Sequence, residues 1–191
     1  MGATMPVLLD GLYFRTAVTE DIPALHALIE LSVRVLQAAD YSPEQLDGAL
    51  GTYFGVDTQL IVDGTYFVVE FTAGDNSRVL VGCGGWSRRK TLFGADDRPG
   101  RDSAILDSKT DAAKIRAFFV HPEWARRGIG SSILQLCESA ARAEGFTRFE
   151  MGATLTGVPL YRRWGYEEFE RIDLPLANGE SLPIVRMGKA D

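Results

Sequence analysis

The order of the predicted elements indicates a mixed α/β fold (α+β) in a single domain covering residues 1–191. A chain of 191 residues suits one domain and is awkward for two. Its content of 46% hydrophobic and 24% charged residues is that of an ordinary globular protein. Helical and strand-type periodicities alternate along the chain, in the order strand, two helices, hairpin, strand, helix, strand, helix, hairpin.

The N-terminal part begins with a predicted strand over Leu12–Arg15 and continues with two helices. Apolar residues recur at helical spacing from Ile22 to Leu36, behind an acidic, proline-containing start that is typical of a helix N-terminus. Ser42 is placed to cap a second helix that begins at Pro43.

The middle of the chain predicts a hairpin followed by a long loop. Tyr66–Phe71 and Arg78–Trp86 are rich in strand-forming residues and are joined by a Gly-Asp-Asn turn. Lys90–Asp111 is polar and contains glycine and proline. A loop of this length inside one domain is usually functional or mobile.

The C-terminal part predicts four strands and two helices. A strand ending in an apolar patch precedes an amphipathic helix that glycine stops, and the last hairpin turns through an Asn-Gly pair. The predicted bounds are Ala113–Val120, Ile129–Glu144, Arg148–Met151, Val158–Trp164, Tyr166–Leu174 and Leu182–Met187.

Charge and composition argue against several functions. With 20 basic and 26 acidic residues the net charge is −6, whereas nucleic-acid binding needs a positive surface for phosphate contacts. Two cysteines and two histidines without ligand spacing argue against a metal site or a redox pair. Cys83 and Cys137 lie in apolar stretches, which is typical of buried structural thiols.

The N-terminal segment Met1–Pro6 does not read as a signal peptide, because no basic stretch precedes an apolar one. Pro6 stands where a myristoylation site needs serine or threonine. No apolar run approaches membrane-spanning length. We therefore expect a cytoplasmic protein that does not bind membranes, and we leave open whether it forms a homodimer.

The segment VHPEWARRGIGS (120–131) joins the apolar strand to the amphipathic helix. A helix start offers N–H groups without internal partners and a partial positive charge. Gly128 and Gly130 would let an anion approach the backbone closely, and Arg126 and Arg127 add positive charge. The segment therefore predicts a phosphate or pyrophosphate site.

Two familiar nucleotide motifs do not fit this segment. Ile133 replaces the third glycine of the dinucleotide fingerprint, and the Gly-Lys-Ser/Thr of the P-loop is absent. With the two phenylalanines before it, the segment instead resembles the coenzyme-A-binding motif of the GNAT superfamily of N-acetyltransferases. In that motif a strand ending in Val-His-Pro-Glu is followed by Arg/Gln-x-x-Gly-x-Gly/Ala. Ala125 departs from the pattern at its Arg/Gln position.

A second segment, PLYRRWGY (159–166), resembles the Leu-Tyr-x-x-x-Gly-Phe segment of the same family. The resemblance implies that Tyr161 protonates the departing coenzyme A thiolate, which is within the chemistry of a phenol. Thr154 stands where relatives often have asparagine, seven residues before this tyrosine.

The resemblance covers most of the chain and implies a largely antiparallel sheet flanked by helices. It also implies acetyl-coenzyme A (acetyl-CoA) as co-substrate, no metal, and direct attack by a primary amine of a small molecule or peptide. The sheet should splay where Phe118–Val120 pairs with the pantetheine, and the backbone of Phe119–Val120 should polarise the carbonyl. The implied binding residues are Phe118, Phe119, Val120, Arg126, Arg127, Gly128, Ile129, Gly130, Ser131 and Thr154.

The general base is not assigned. Some relatives use a glutamate on the fifth strand, at the position of Phe149 here, and strand alternation points the neighbouring Glu150 to the opposite face. Asp111 and Glu123 are other carboxylates near the motif, and His121 is expected to organise the turn.

The acceptor is expected to contact Gln37–Tyr41 and the loop Lys90–Asp111, with Tyr41, Tyr53 and Trp86 as candidate pocket residues. Two alternatives stay open. One is a non-catalytic acyl-CoA sensor, and the other is an acyltransferase with a different acyl donor or a hydroxyl acceptor.

Overall fold

A computed structural model describes residues 11–191, in which seven strands form one sheet of order β1-β2-β3-β4-β5-β7-β6. All neighbouring strands are antiparallel except β4 and β5, which are parallel. The strands are β1 (Leu12–Thr16), β2 (Tyr66–Thr72), β3 (Arg78–Ser87), β4 (Ala113–Val120), β5 (Arg148–Thr154), β6 (Glu167–Pro175) and β7 (Ser181–Ala190). The predicted mixed, largely antiparallel sheet is confirmed.

Within residues 11–191, five α-helices cover the sheet: α1 (Ile22–Leu36), α2 (Pro43–Ala49), α3 (Thr58–Val62), α4 (Ile129–Ala143) and α5 (Val158–Arg163). Ser42 caps α2 as predicted, since its Oγ accepts from the Gln45 amide at 3.2 Å. The short helix α3 was not predicted. None of the helices within residues 11–191 has the length and apolarity to cross a bilayer, and the Met1–Pro6 interpretation lies outside the described residues.

Two apolar clusters cover the faces of the sheet. One contains α4 and α5 residues, and the other contains residues of α1, α2 and α3. Strand β4 contributes Ala113 and Ile115 to the first cluster and Phe119 to the second. The centre of the sheet, where β4 lies, is therefore packed from both sides.

The glycines of β3 let α4 approach the sheet closely. A Cβ at Gly82 would stand 2.6 Å from Ile129 Cγ2, and one at Gly84 would stand 2.6 Å from Ile133 Cγ2. Side chains at these positions would push the helix outward. The start of α4 is thus held against the middle of the sheet, beside the end of β4.

Candidate active site

The parallel strands β4 and β5 pair only at their beginnings. Ala113 is registered with Phe149 and Lys114 with Glu150, and no later pair forms. We call these two pairs the closed end. Beyond them, Ile115–Val120 of β4 and Met151–Thr154 of β5 diverge, and we call these diverging segments the open edge. Backbone groups that point across the open edge have no strand partner there, so they are available to a ligand.

A bulge bends β4 within the open edge. The register with β3 shifts between Cys83 and Gly85, and Ala117 has φ 56°, in the left-handed region. That conformation costs a non-glycine residue about 1–3 kcal/mol and is concentrated at functional sites. The Ala117 carbonyl accepts from the Tyr66 hydroxyl at 3.3 Å, which holds the bulge in place.

The start of α4 has the backbone geometry that anion binding needs. Gly128 is the N-cap with φ 88° and offers no side-chain cap, so the N–H groups of the first turn stay without intrahelical partners. A Cβ at Gly128 would meet nothing within 4 Å, which indicates open space beside the backbone. The pyrophosphate site predicted at Arg126–Ser131 stays a prediction that this geometry favours.

The two arginines of the loop face outward. Arg126 and Arg127 are exposed and form no ion pair among the described residues. The Arg127 guanidinium lies 4.9 Å from the centre of the Trp124 ring, which packs on Phe71 with centroids 4.6 Å apart. This stacking holds one positive charge beside the start of α4.

Tyr161 of α5 lies against the open edge. Its side chain is 7% exposed, and its ring meets Phe118 edge-on with centroids 6.2 Å apart. Burial, and secondarily the nearby Cys137, raises the pKa of the Tyr161 hydroxyl above its usual value. The phenol is therefore neutral near pH 7, and it forms no hydrogen bond with any residue from 11 to 191. A neutral, unengaged hydroxyl at a cleft is equipped to donate a proton.

A cleft opens between the open edge and the surrounding loops. Its walls include four predicted site residues, Phe118, Phe119, Thr154 and Tyr161. The other walls are predominantly apolar: Tyr53, Phe54, Gly55, Leu92, Phe93, Gly94, Ile115, Arg116, Ala117, Met151, Gly152, Ala153, Leu174, Leu182 and Ile184. Val120 and Arg126–Ser131 lie outside these walls, along the path from β4 into α4.

Two of the candidate pocket aromatics are structural. Trp86 is 1% exposed and packs edge-on against Phe146 with centroids 5.9 Å apart, on the α4 side of the sheet. The Tyr41 hydroxyl donates to the Pro183 carbonyl at 2.8 Å and accepts from the Leu155 amide at 2.9 Å. Their assignment to the pocket was wrong because both are needed in the core, whereas Tyr53 does line the cleft.

The carboxylates considered as a base are engaged elsewhere. Glu150 lies at the closed end and accepts from Lys114 Nζ at 2.6 Å and from Arg186. Burial alone would raise the pKa of its carboxyl, but the hydrogen bonds from Lys114 and Arg186 outweigh burial and lower it. Asp111 Oδ2 accepts from the Asp107 amide at 2.8 Å.

The loop after β4 also uses its polar groups internally. His121 Nδ1 accepts from the Glu123 amide at 3.3 Å, in line with its expected role in the turn, and Glu123 is exposed. The Val120 amide donates to Ser32 Oγ at 3.3 Å. That bond is long, and Val120 would have to exchange it before polarising a substrate carbonyl.

Sequence reasoning missed Arg116 and the apolar wall of Phe93, Leu174, Leu182 and Ile184. One signal was present for Arg116, because a charged residue inside an apolar strand must be paired or functional. The apolar wall comes from a loop and the last hairpin, which only the folded chain brings together. Among residues 11–191 no group of three or more metal-ligating side chains is found.

The chain belongs to the GNAT acetyltransferase family. The family model described as "Acetyltransferase (GNAT) domain" matches residues 63–168, which include β4, α4 and Tyr161. No curated protein sequence matches significantly.

Solved structures share the fold. A GCN5-related N-acetyltransferase from Rhodopseudomonas palustris is 19% identical, with TM-score 0.68 and coverage of 100% of this chain and 99% of that one. PaiA N-acetyltransferase from Thermoplasma acidophilum, solved with coenzyme A, is 15% identical with TM-score 0.63, covering 94% and 99%. Ribosomal-protein-alanine N-acetyltransferase from Brucella melitensis is 18% identical with TM-score 0.57, covering 94% and 99%.

Proposed function

We propose that this chain is an acetyl-CoA-dependent N-acetyltransferase that acetylates a primary amine of a small molecule or peptide by direct attack. One observation carries the proposal. The sheet opens between β4 and β5 next to an uncapped helix start, with a neutral phenol, Tyr161, against the opening.

Binding of acetyl-CoA would use the backbone more than side chains. The amides of the pantetheine arm can pair with the backbone groups of Phe118–Val120 that face the gap, where the Val120 amide would exchange its long bond to Ser32, and can meet Thr154 on the other side. The pyrophosphate can accept from the N–H groups of Gly128, Ile129, Gly130 and Ser131, with Arg126 and Arg127 nearby. The open space beside Gly128 fits a phosphate that approaches the backbone.

The acetyl transfer needs one amine as acceptor, one thioester as donor and the Tyr161 hydroxyl as proton donor. The amine nitrogen attacks the thioester carbonyl, so that a C–N bond forms and the C–S bond breaks. The amine loses a proton to water, because none of the described cleft-lining residues carries a carboxylate or an imidazole. The leaving thiolate takes the Tyr161 proton, and solvent restores that proton afterwards.

A raised pKa makes Tyr161 a weak acid, but the thiolate leaves into the same apolar surroundings. Desolvation disfavours the charged form of any acid, so it raises the proton affinity of the thiolate as well. The two effects offset each other, and the phenol remains a competent donor to this leaving group.

We propose that residues 1–191 act as one domain, which is supported by the packing of strand β4 against both apolar clusters. We further propose that the enzyme works in the cytoplasm, without metal, nucleic acid or membrane.

Two measurements on the wild-type chain test the proposal. Calorimetry should show acetyl-CoA binding at micromolar strength, and a panel of primary amines should yield at least one that releases free thiol from acetyl-CoA. Binding without turnover on any amine would favour the acyl-CoA sensor. Turnover only with a longer acyl donor, or only with alcohols, would favour a different acyltransferase.

A further inference from the structure

A buried arginine forms part of the cleft wall. Arg116 lies on β4 directly before the bulge residue Ala117 and is 6% exposed. It is the one charged residue among the described residues that line the cleft. An arginine side chain is rarely buried unless negative groups balance its charge. The partners of Arg116 therefore determine what this side chain can do.

The charge of Arg116 is only partly matched. Its Nη2 stands 2.8 Å from Asp57 Oδ2, but the two atoms are not aligned for a hydrogen bond. Nη2 donates instead to the Gly94 carbonyl at 2.6 Å. The Arg116 Nε is buried and has no partner among residues 11–191.

Asp57 is also shared with a second cation. The Asp57 carboxylate, 1% exposed, accepts from Arg101 Nη2 at 2.7 Å. Burial, with a contribution from Arg101 and Arg98, lowers the pKa of the Arg116 guanidinium to about 10. Asp57 acts against this shift. Arg101 also pairs with Asp96 Oδ1 at 3.3 Å, so two carboxylates serve three neighbouring arginines. None of the described residues that line the cleft carries a negative charge.

Another part of the cleft wall would accept an apolar group. Tyr53 and Phe93 lie with ring centroids 6.3 Å apart, and Leu182 and Ile184 of β7 continue this surface. The Phe93 ring lies over Gly152 of β5, where an added Cβ would stand 2.9 Å from its Cδ1. The cleft therefore presents a cation and an apolar surface to the same ligand.

We infer that the acceptor is an α-amino acid with an apolar side chain, or a close analogue, whose carboxylate pairs with Arg116 while its side chain contacts Tyr53 and Phe93. The inference rests on the proposed function and specifies its substrate class. Arg116 and the bulge are consecutive in β4, so the carboxylate and the reacting amine should be separated by few bonds. A ligand carboxylate would also offset the positive charge that Asp57 and Asp96 leave unbalanced beside Arg116.

Matched substrates test the inference on the wild-type enzyme. Phenylalanine and leucine are compared with the amines that lack only their carboxylate, phenethylamine and isopentylamine, by thiol release from acetyl-CoA. A charge-assisted hydrogen bond should make kcat/KM of each amino acid about tenfold to a hundredfold higher than that of its amine. Equal or lower values for the amino acids would overturn the inference while leaving the acetyltransferase proposal intact. Failure of every amine, despite acetyl-CoA binding, would overturn the proposed function itself.

A double variant tests the role of Arg116. Arg116→Gln with Asp57→Asn removes the cation without leaving an unmatched buried carboxylate, and circular dichroism reports whether it folds. The amino acid to amine ratio of kcat/KM should fall to about one, mainly through KM. Arg101→Gln with Asp57→Asn removes the same number of charges but keeps Arg116, so it is the control and should keep the preference for the amino acid. An equal loss of kcat for both substrate classes would show instead that Arg116 serves the shared chemistry, and a retained preference would remove it from substrate binding.

Discussion

The closed end and the open edge of β4 and β5 belong to the same two strands but differ in how their polar groups are satisfied. At the closed end the backbone is paired, and the Glu150 carboxylate is held by Lys114 and Arg186. At the open edge the strands diverge, and the cleft between them holds a partly matched cation and an unengaged phenol. A charged residue close to the motif is therefore structural when its partners are in place, and we expect chemistry where partners are missing.

Two neighbouring tyrosines show the same contrast. Tyr161 and Tyr166 are both buried, and their rings meet edge-on with centroids 5.9 Å apart. The Tyr166 hydroxyl donates to Glu138 Oε1 at 2.9 Å, whereas Tyr161 lines the cleft and its hydroxyl bonds to none of residues 11–191. Burial, followed by Glu138, raises the pKa of Tyr166, so both phenols are neutral near pH 7. They differ in what their hydroxyls contact, and they form a matched pair for mutagenesis.

The largest expected effect is that of Tyr161→Phe. Because the ring is kept and only the proton donor is lost, kcat should fall by about 10²–10⁴ while the Kd for acetyl-CoA changes little. Tyr166→Phe is the control and should lower stability by about 1–3 kcal/mol while keeping kcat, since it leaves buried Glu138 with one fewer donor. Turnover and calorimetry on both variants separate the effects. A Tyr161→Phe enzyme with more than about half the wild-type rate in the pre-steady-state chemical step would remove the tyrosine from catalysis.

A smaller effect is expected at the helix start. Gly128→Val places a side chain in the open space beside the first-turn N–H groups and should raise the Kd for acetyl-CoA at least about tenfold. Gly179→Val is a matched control, because Gly179 also has φ 88° and open surroundings but lies in the β6–β7 turn. The two variants should lose similar stability from backbone strain, and only the first should lose affinity. Equal affinities in two folded variants would exclude the Arg126–Ser131 loop as the binding site.

The smallest effect concerns the closed end. Glu150→Gln should lower stability by about 1–3 kcal/mol, because Lys114 and Arg186 lose a charged partner, and kcat should stay near wild type. The control, Glu170→Gln, removes the exposed partner of Arg186 and should cost at most about 0.5 kcal/mol. Denaturation curves and turnover assays measure both. A large loss of kcat in Glu150→Gln at unchanged stability would restore Glu150 as a base.

The same carboxylate gives a pH dependence with a definite sign. The folded-state pKa of Glu150 lies below its unfolded value, so its contribution is complete above the unfolded pKa of about 4.3. That contribution is lost as the pH falls through the lower folded-state pKa. The wild type should therefore lose more stability than Glu150→Gln when the pH is lowered from about 5.

The sequence predicts most helices and strands well because the patterns that indicate them lie within a few neighbouring residues. The Ser42 cap, the helical periodicity of α4 and the apolar strand Ala113–Val120 all depend on neighbouring residues. Strand β5 was predicted to end at Met151 but continues to Thr154, since pairing with β7 overrides the weak strand preference of Gly152 and Ala153.

The acceptor side of the cleft could not be predicted in the same way. Phe93 arrives from a loop, and Leu182 and Ile184 arrive from the last hairpin, so no short segment contains the pocket. Trp86 and Tyr41 look like pocket residues in the sequence, because aromatic character does not tell a core position from a cleft position. Arg116 carried a signal as a charge within an apolar strand, but its incomplete pairing depends on Asp57, Arg101 and the fold.

We expect the open edge and the start of α4 to bind acetyl-CoA, and amide hydrogen exchange measured with and without acetyl-CoA tests this expectation. On saturation, exchange should slow at least about tenfold for amides of Ile129–Ser131 and for those of Ile115–Val120 that point into the gap. The amides of Ala113 and Lys114 at the closed end should change far less. Tight binding of acetyl-CoA that leaves amide exchange unchanged at Ile129–Ser131 and at the open edge would show that acetyl-CoA binds elsewhere.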